Sequence, residues 1–179
     1  MAVMRVLTRA GAPPYVCKQE ERRLAVTHER TDDEVQETLE ALGLDPLWKF
    51  YVEHNGSEGF SASDYTPMLK SFGYAIIVRV DEDDYQGDTL VLYRQKQTGA
   101  HGVLVFGWGS CSGCDALQSC GSWRAAEELR VRLYRDIKWF STDAELLAWL
   151  RDEEVQGYKY YRGKVMFTKF REDVERALA

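Results

Sequence analysis

The chain is poor in the residues that most often carry acid–base chemistry near neutral pH. Its three histidines, His28, His54 and His101, all precede the segment that is dense in cysteine. Proline is scarce: four residues in 179, none after Pro67, so helices and strands beyond that point run without proline breaks. A surplus of positive charge is missing as well. Lys and Arg number 23 against 29 Asp and Glu, a net charge of -6, which leaves no general excess to neutralise phosphates and argues against broad nucleic-acid binding. No apolar run approaches the roughly 18 residues of a membrane span, so no membrane association is expected. The start, Met1 to Arg9, places Arg5 among its apolar residues and has no leader-like core. The expectation is a cytoplasmic protein, whose four cysteines (Cys17, Cys111, Cys114 and Cys120) serve as thiols or metal ligands and not as disulfides.

What is present reads as one α+β domain over residues 1–179, with a helical part at 1–70 and a sheet with helices at 71–179. Thr31-Asp-Asp-Glu34 is a capping box ahead of Val35, Leu39 and Leu42 on one helical face, with Gly43 suited to the stop. Asp45-Pro46 restarts a helix that carries Leu47, Phe50 and Tyr51. The period then changes from 3.6 to 2. Ile76, Val78 and Val80 alternate, Leu90 to Arg94 follows an acidic turn, and Val103 to Phe106 follows a turn at Gly99. Such short connections force antiparallel neighbours. The spacing predicts a small three-stranded antiparallel meander over 74–81, 89–95 and 102–108, packed with helices from both chain ends. A helix capped by Ser122 should lie across one face and bury Trp123, Leu129 and Leu133. Thr142-Asp-Ala-Glu145 opens another helix, Tyr158 to Phe167 reads as a strand, and Phe170 to Leu178 closes on a short helix.

Between the third strand and the Ser122 helix lies Gly107-Trp-Gly-Ser-Cys-Ser-Gly-Cys-Asp-Ala-Leu-Gln-Ser-Cys120. Its glycines allow positive φ and close backbone approach, so that successive N–H groups can face an anion or a thiolate. A helix start near Cys114 would favour the thiolate at Cys111 or Cys114. Three chemistries and one plain structural reading, small cysteines filling a tight turn, compete for this segment. Thiol–disulfide exchange matches the local order of strand, tryptophan, C-x-x-C and helix. The thioredoxin type, however, needs βαβ crossovers and a later proline, and this chain has neither. Cysteine hydrolysis matches Gly109-Ser-Cys111-Ser-Gly113, with an upstream His54 as the candidate base for Cys111. Zinc binding matches Cys111, Cys114 and Cys120, with Cys17 or Asp115 as a fourth ligand. Outside the segment, Asp81-Glu-Asp-Asp84 with Asp88 reads as a solvated turn before it reads as a cation site. Tyr158, Tyr160 and Tyr161 read as an aromatic strand before they read as a base-stacking surface. Trp123, Trp139 and Trp149 read as packing.

The stretches Tyr85-Gln-Gly-Asp88, Phe106-Gly-Trp-Gly-Ser-Cys-Ser-Gly-Cys-Asp-Ala-Leu-Gln118 and Lys138-Trp-Phe140 resemble a family of uncharacterised proteins from bacteria and their phages, over roughly residues 85–150. The resemblance implies a phage or mobile-element origin and carries no mechanism. Since no complete catalytic set can be assembled, the leading expectation is a non-enzymatic accessory protein. It would bind a protein partner and use the cysteine segment as a structural or zinc-stabilised element. The alternative is a thiol-dependent enzyme, redox or hydrolytic, acting through Cys111.

Overall fold

The computed structural model of the protein describes residues 31–55, 64–82, 86–111, 113–152 and 161–179. Helices α1 (Asp32–Leu42), α2 (Leu47–Asn55) and α3 (Thr66–Lys70) lead into strands β1 (Ala75–Asp81), β2 (Gly87–Arg94) and β3 (His101–Trp108). Helix α4 (Trp123–Arg135), strand β4 (Lys138–Phe140), α5 (Asp143–Arg151) and α6 (Tyr161–Leu178) complete the order. The sheet runs β1-β2-β3-β4 with every pair antiparallel. It is therefore the expected α+β meander, but with four strands and not three.

The added strand β4 is three residues long, too short for any period to show, and pairs with the start of β3 through His101–Phe140, Gly102–Trp139 and Val103–Lys138. A Cβ on Gly102 would lie 2.6 Å from Ile137 and 2.8 Å from the Trp139 ring. The missing side chain is what lets β4 close onto the sheet, with Trp139 laid across the strand and edge-on to Tyr74 at 4.7 Å. Trp139 still keeps 39% of its surface exposed, more than the packing role expected of it.

Strand β2 is covered on both faces. Leu90, Val91, Leu92 and Tyr93 are all fully buried, and the alternation of strand side chains sends them to opposite sides. Val91 and Tyr93 join Leu104, Phe106, and residues of α2, α3 and α4 in one core. Leu90 and Leu92 join Val80, Val103, Phe140, and residues of α5 and α6 in the other. A third, smaller cluster seats Val35 and Leu39 of α1 on Val131 of α4. Helix α4 buries Leu129 and Leu133 as expected, but Trp123, expected to be buried with them, is only half-buried against Tyr51, edge-on at 5.5 Å.

Two sequence readings are corrected here. Ile76, Val78 and Val80 do not share a face. Ile76 pairs with Tyr93 and Val78 with the adjacent Leu92, so Ile77 is the extra residue of a β-bulge. The bulge turns Ile76 toward the first core and Val78 and Val80 toward the second. The second correction concerns the aromatic stretch at 158–167. Residues 161–167 belong to the helix Tyr161–Leu178, and the rest lies outside the described residues. Met166, Phe167, Phe170 and Val174 follow helical spacing and bury against the sheet, so tertiary burial overrides the aromatic strand preference of that stretch.

The first capping box behaves as read. Thr31 accepts from the Glu34 N–H while Glu34 reaches back to the Thr31 N–H, and Gly43 stops α1 at φ 65°. Ser122 caps α4 and Thr142 caps α5, but Glu145 reaches back to the Ser141 N–H at 2.9 Å and not to Thr142, so only half of the second box forms. The start of α2 departs from expectation. Asp45 is engaged with Lys49 at 2.8 Å, and the Leu47 N–H donates instead to Glu127 of α4 at 2.6 Å, across 80 residues of chain. Glu127 also pairs at 2.7 Å with the fully buried Arg130, which donates to the Asp45 carbonyl at 2.6 Å. Burial pushes the Glu127 carboxyl upward, and Arg130 with the Leu47 N–H draws it back. The pair ties α4 to the α1–α2 turn.

Removing one partner of a buried pair strands the other charge. Glu127→Ala should cost about 3–5 kcal/mol in urea unfolding. Glu127→Ala combined with Arg130→Met should cost less than the two single changes summed, and simple additivity would show that the pair is not coupled. Leu133→Ala should cost about 2–5 kcal/mol, as a core leucine does.

Candidate functional site

Strand β3 ends at Trp108, and the chain then turns on itself before α4 begins. The turn is held from beneath by Asp115, only 2% exposed. One carboxylate oxygen accepts from the Gly109 N–H at 2.9 Å and the other from the Gln118 N–H at 2.7 Å. The Gln118 side-chain amide donates in turn to the Gly109 carbonyl at 3.0 Å. The segment from Gly109 to Gln118 is thus closed into a ring at its base by its own side chains. Tyr65, just ahead of α3, locks this base to the core. Its hydroxyl accepts from the Leu117 N–H at 3.1 Å and lies 3.4 Å from both Asp115 oxygens. Burial first, and then the Asp115 charge, raise the Tyr65 phenol well above its ordinary range, so it stays a neutral donor. Leu117 fills the core below with no exposure.

The top of the ring carries the thiols. Cys111 is exposed and Cys114 half-exposed, and both are free thiols whose sulfurs stand 3.0 Å apart. The Cys111 carbonyl accepts from the Cys114 N–H at 3.0 Å and the Asp115 N–H at 2.8 Å, which sets the turn between them. The Cys114 thiol is held below the usual thiol range, first by the hydrogen bond from the Cys111 thiol and then by the Cys111 N–H. Burial opposes the shift by more than either of the smaller contributions from Ser110 supports it. Gly109 is required here for space, since a Cβ on it would lie 2.6 Å from the Cys114 sulfur and 2.8 Å from the Cys114 backbone.

The structure separates the other candidates. Cys120 packs against the first core, donates to the Ala116 carbonyl at 3.2 Å, and has its thiol pushed up by burial. Cys17 and His28 lie outside the described residues, as does the side chain of His54, whose backbone sits in the last turn of α2. His101 is buried at the opposite end of β3 from the cysteine ring, about 23 Å away for seven residue steps, and its Nδ1 faces Asp143 at 2.9 Å. Among the described residues no group of three or more His, Cys, Asp or Glu side chains is gathered to hold a metal ion. Of the three described cysteines expected to hold zinc, Cys111 and Cys114 meet and Cys120 does not join them. Asp115, the alternative fourth ligand, spends its carboxylate on the base of the ring. Asp81 of the acidic turn is engaged by Arg79 at 2.8 Å and by the Thr89 hydroxyl at 2.7 Å. No helix among the described residues is long and apolar enough to cross a membrane.

The roles of Asp115, Gln118 and Tyr65 escaped the sequence reading. A local signal existed for the first two, because Asp followed three residues later by a backbone donor is a common turn cap. Nothing local pointed to Tyr65, 50 residues upstream. Comparison with family models, with curated proteins and with solved structures finds no match to the chain.

Gly109→Ala should push the Cys114 segment away, destabilise the fold by about 1–3 kcal/mol in urea, and slow oxidation of the thiol pair. An unchanged oxidation rate would show that the sulfurs do not depend on this approach.

Proposed function

We propose that the protein works by reversible dithiol–disulfide exchange at Cys111 and Cys114, with a disulfide of a partner molecule as its oxidant. The observation that carries this reading is the pair itself: two free sulfurs 3.0 Å apart on a solvent-facing ring, one of them with a lowered thiol pKa. An S–S bond is about 2.05 Å long, so closing it asks for an approach of about 1 Å, within reach of side-chain rotation.

Exchange also asks little of the surroundings. Hydrolysis needs a base and a set of donors for a developing oxyanion, and the described residues bring no histidine to the ring. Exchange needs a thiolate and a second thiol within reach. The expectation of a non-enzymatic accessory protein rested on the lack of a complete catalytic set, and this chemistry removes that objection while keeping a partner in the reaction. The partner disulfide takes up two electrons and leaves as two thiols; the pair gives up two electrons and closes as a disulfide. A dithiol reductant then resets it.

The test is reduction of a cystine-containing peptide by dithiothreitol with catalytic amounts of the protein. The wild type should accelerate the reaction and show reversible loss of two thiol hydrogens, mapped to Cys111 and Cys114. The doubly substituted Cys111→Ser, Cys114→Ser protein should do neither. Failure of the wild type to oxidise reversibly in a glutathione redox buffer would sink the proposal.

A further inference from the structure

Resting on that reading, we infer that Asp115 is the positioning residue of the pair: its buried carboxylate holds the two thiols near bonding geometry and so sets how readily they close into a disulfide. Asp115 engages the ring before, at and after the thiols. One carboxylate oxygen accepts from the Gly109 N–H at 2.9 Å, two residues ahead of Cys111. The other accepts from the Gln118 N–H at 2.7 Å, four residues beyond Cys114. The backbone N–H of Asp115 donates to the Cys111 carbonyl at 2.8 Å, in the turn between the thiols. The carboxylate thus acts on the sulfurs through the backbone that carries them. Tyr65 steadies it in turn: the hydroxyl lies 3.4 Å from both oxygens and accepts from the Leu117 N–H at 3.1 Å, while the ring packs on Phe106 of β3 at 4.8 Å. The thiols therefore stand on a base anchored in the sheet, with 3.0 Å between their sulfurs.

The direction of the effect follows from what each redox form can do when the base is loosened. In the dithiol form the ring is held by hydrogen bonds and packing. Without the Asp115 carboxylate the two sulfurs separate, and the chain recovers conformational entropy. In the disulfide form the S–S bond keeps the same segment closed, so that relaxation is denied. Loss of the carboxylate therefore destabilises the disulfide more than the dithiol, and the intact carboxylate favours closure. With it in place the sulfurs need only about 1 Å of approach to a bond of about 2.05 Å, and the segment needs no further ordering. With oxidised glutathione as the partner, the Cys111 and Cys114 thiols give up two electrons and two protons and one S–S bond forms between them. One glutathione disulfide becomes two glutathione thiols.

The test equilibrates the full chain in glutathione redox buffers near neutral pH and reads the dithiol fraction by thiol labelling and peptide mapping. Asp115→Asn keeps the size of the side chain but accepts at one end only, since its amide nitrogen meets an N–H at the other. It should shift the equilibrium toward the dithiol about tenfold, or about 30 mV for a two-electron couple, because a hydrogen bond to a charged acceptor is worth that much. Tyr65→Phe leaves the carboxylate and the packing on Phe106 in place and removes only the hydroxyl. It should shift the equilibrium the same way by about threefold, and it decides the matter if Asp115→Asn does not fold. Leu146→Ala opens the second core on the other face of the sheet. It should lower the urea midpoint and leave the redox equilibrium unmoved, which separates positioning from general loss of stability. A wild-type equilibrium in folded Asp115→Asn protein, a shift toward the disulfide, or an equal shift in Leu146→Ala overturns the role of Asp115 while leaving dithiol exchange in place. A wild type that never closes the Cys111–Cys114 bond overturns the exchange reading itself.

Discussion

Strand β2 imposes the constraint that organises the rest. Four consecutive residues, Leu90 to Tyr93, are fully buried, and a strand sends consecutive side chains to opposite faces. Neither face of the sheet can therefore be left to solvent. One cover comes from α2, α3 and α4, and the other from α5 and α6. Each buried aliphatic side chain contributes about 1.5–3 kcal/mol relative to exposure, so both covers are needed. The chain has to cross from one side of the sheet to the other between α4 and α5, and β4 is the crossing: a short strand paired at the sheet edge, admitted by the bare backbone of Gly102.

The cysteine ring sits where β3 hands over to the first cover. Its base is built like the core it touches, with Leu117 packed, Asp115 buried and Tyr65 bridging. Its top is built like a surface. A buried carboxylate without partners is costly, and Asp115 avoids that cost by accepting from N–H groups on both sides of the thiols. The same contacts that satisfy the carboxylate hold the sulfurs in register, so the rigidity of the site and the stability of the turn are one property.

Much of this was legible in the residues. The capping box at Thr31 and the side-chain caps at Thr142 and Ser122 are local chemistry and read correctly, as did three of the four antiparallel strands, because β2 and β3 carry long apolar runs joined by short turns. The misreadings share a cause, which is that the deciding contact was distant. Ile76 and Val78 look like one face until a bulge at Ile77 splits them, and only pairing with β2 reveals it. The Asp45 cap looked sufficient until Glu127 took over the Leu47 N–H from across the fold. At the site, C-x-x-C was plain, whereas whether Cys120 turns toward the other two thiols was not. Its thiol turns into the core instead of toward the other two, and the sequence spacing is compatible with either direction.

The bulge in β1 bears on how this protein behaves in a crowded solution. A sheet with a long apolar central strand is a template for other chains wherever its margin is regular and open. Here both margins are irregular. β1 breaks its own register at Ile77 and carries Arg79 and Asp81 beyond it. β4 offers three residues and sets Lys138 over the Trp149 ring at 5.0 Å. An incoming strand would meet a misaligned ladder on one side and a short, charged stub on the other. The irregularities that defeat a simple reading of the strands are the same ones that discourage edge-to-edge strand pairing, and straightening β1 by deleting Ile77 would be expected to favour aggregation.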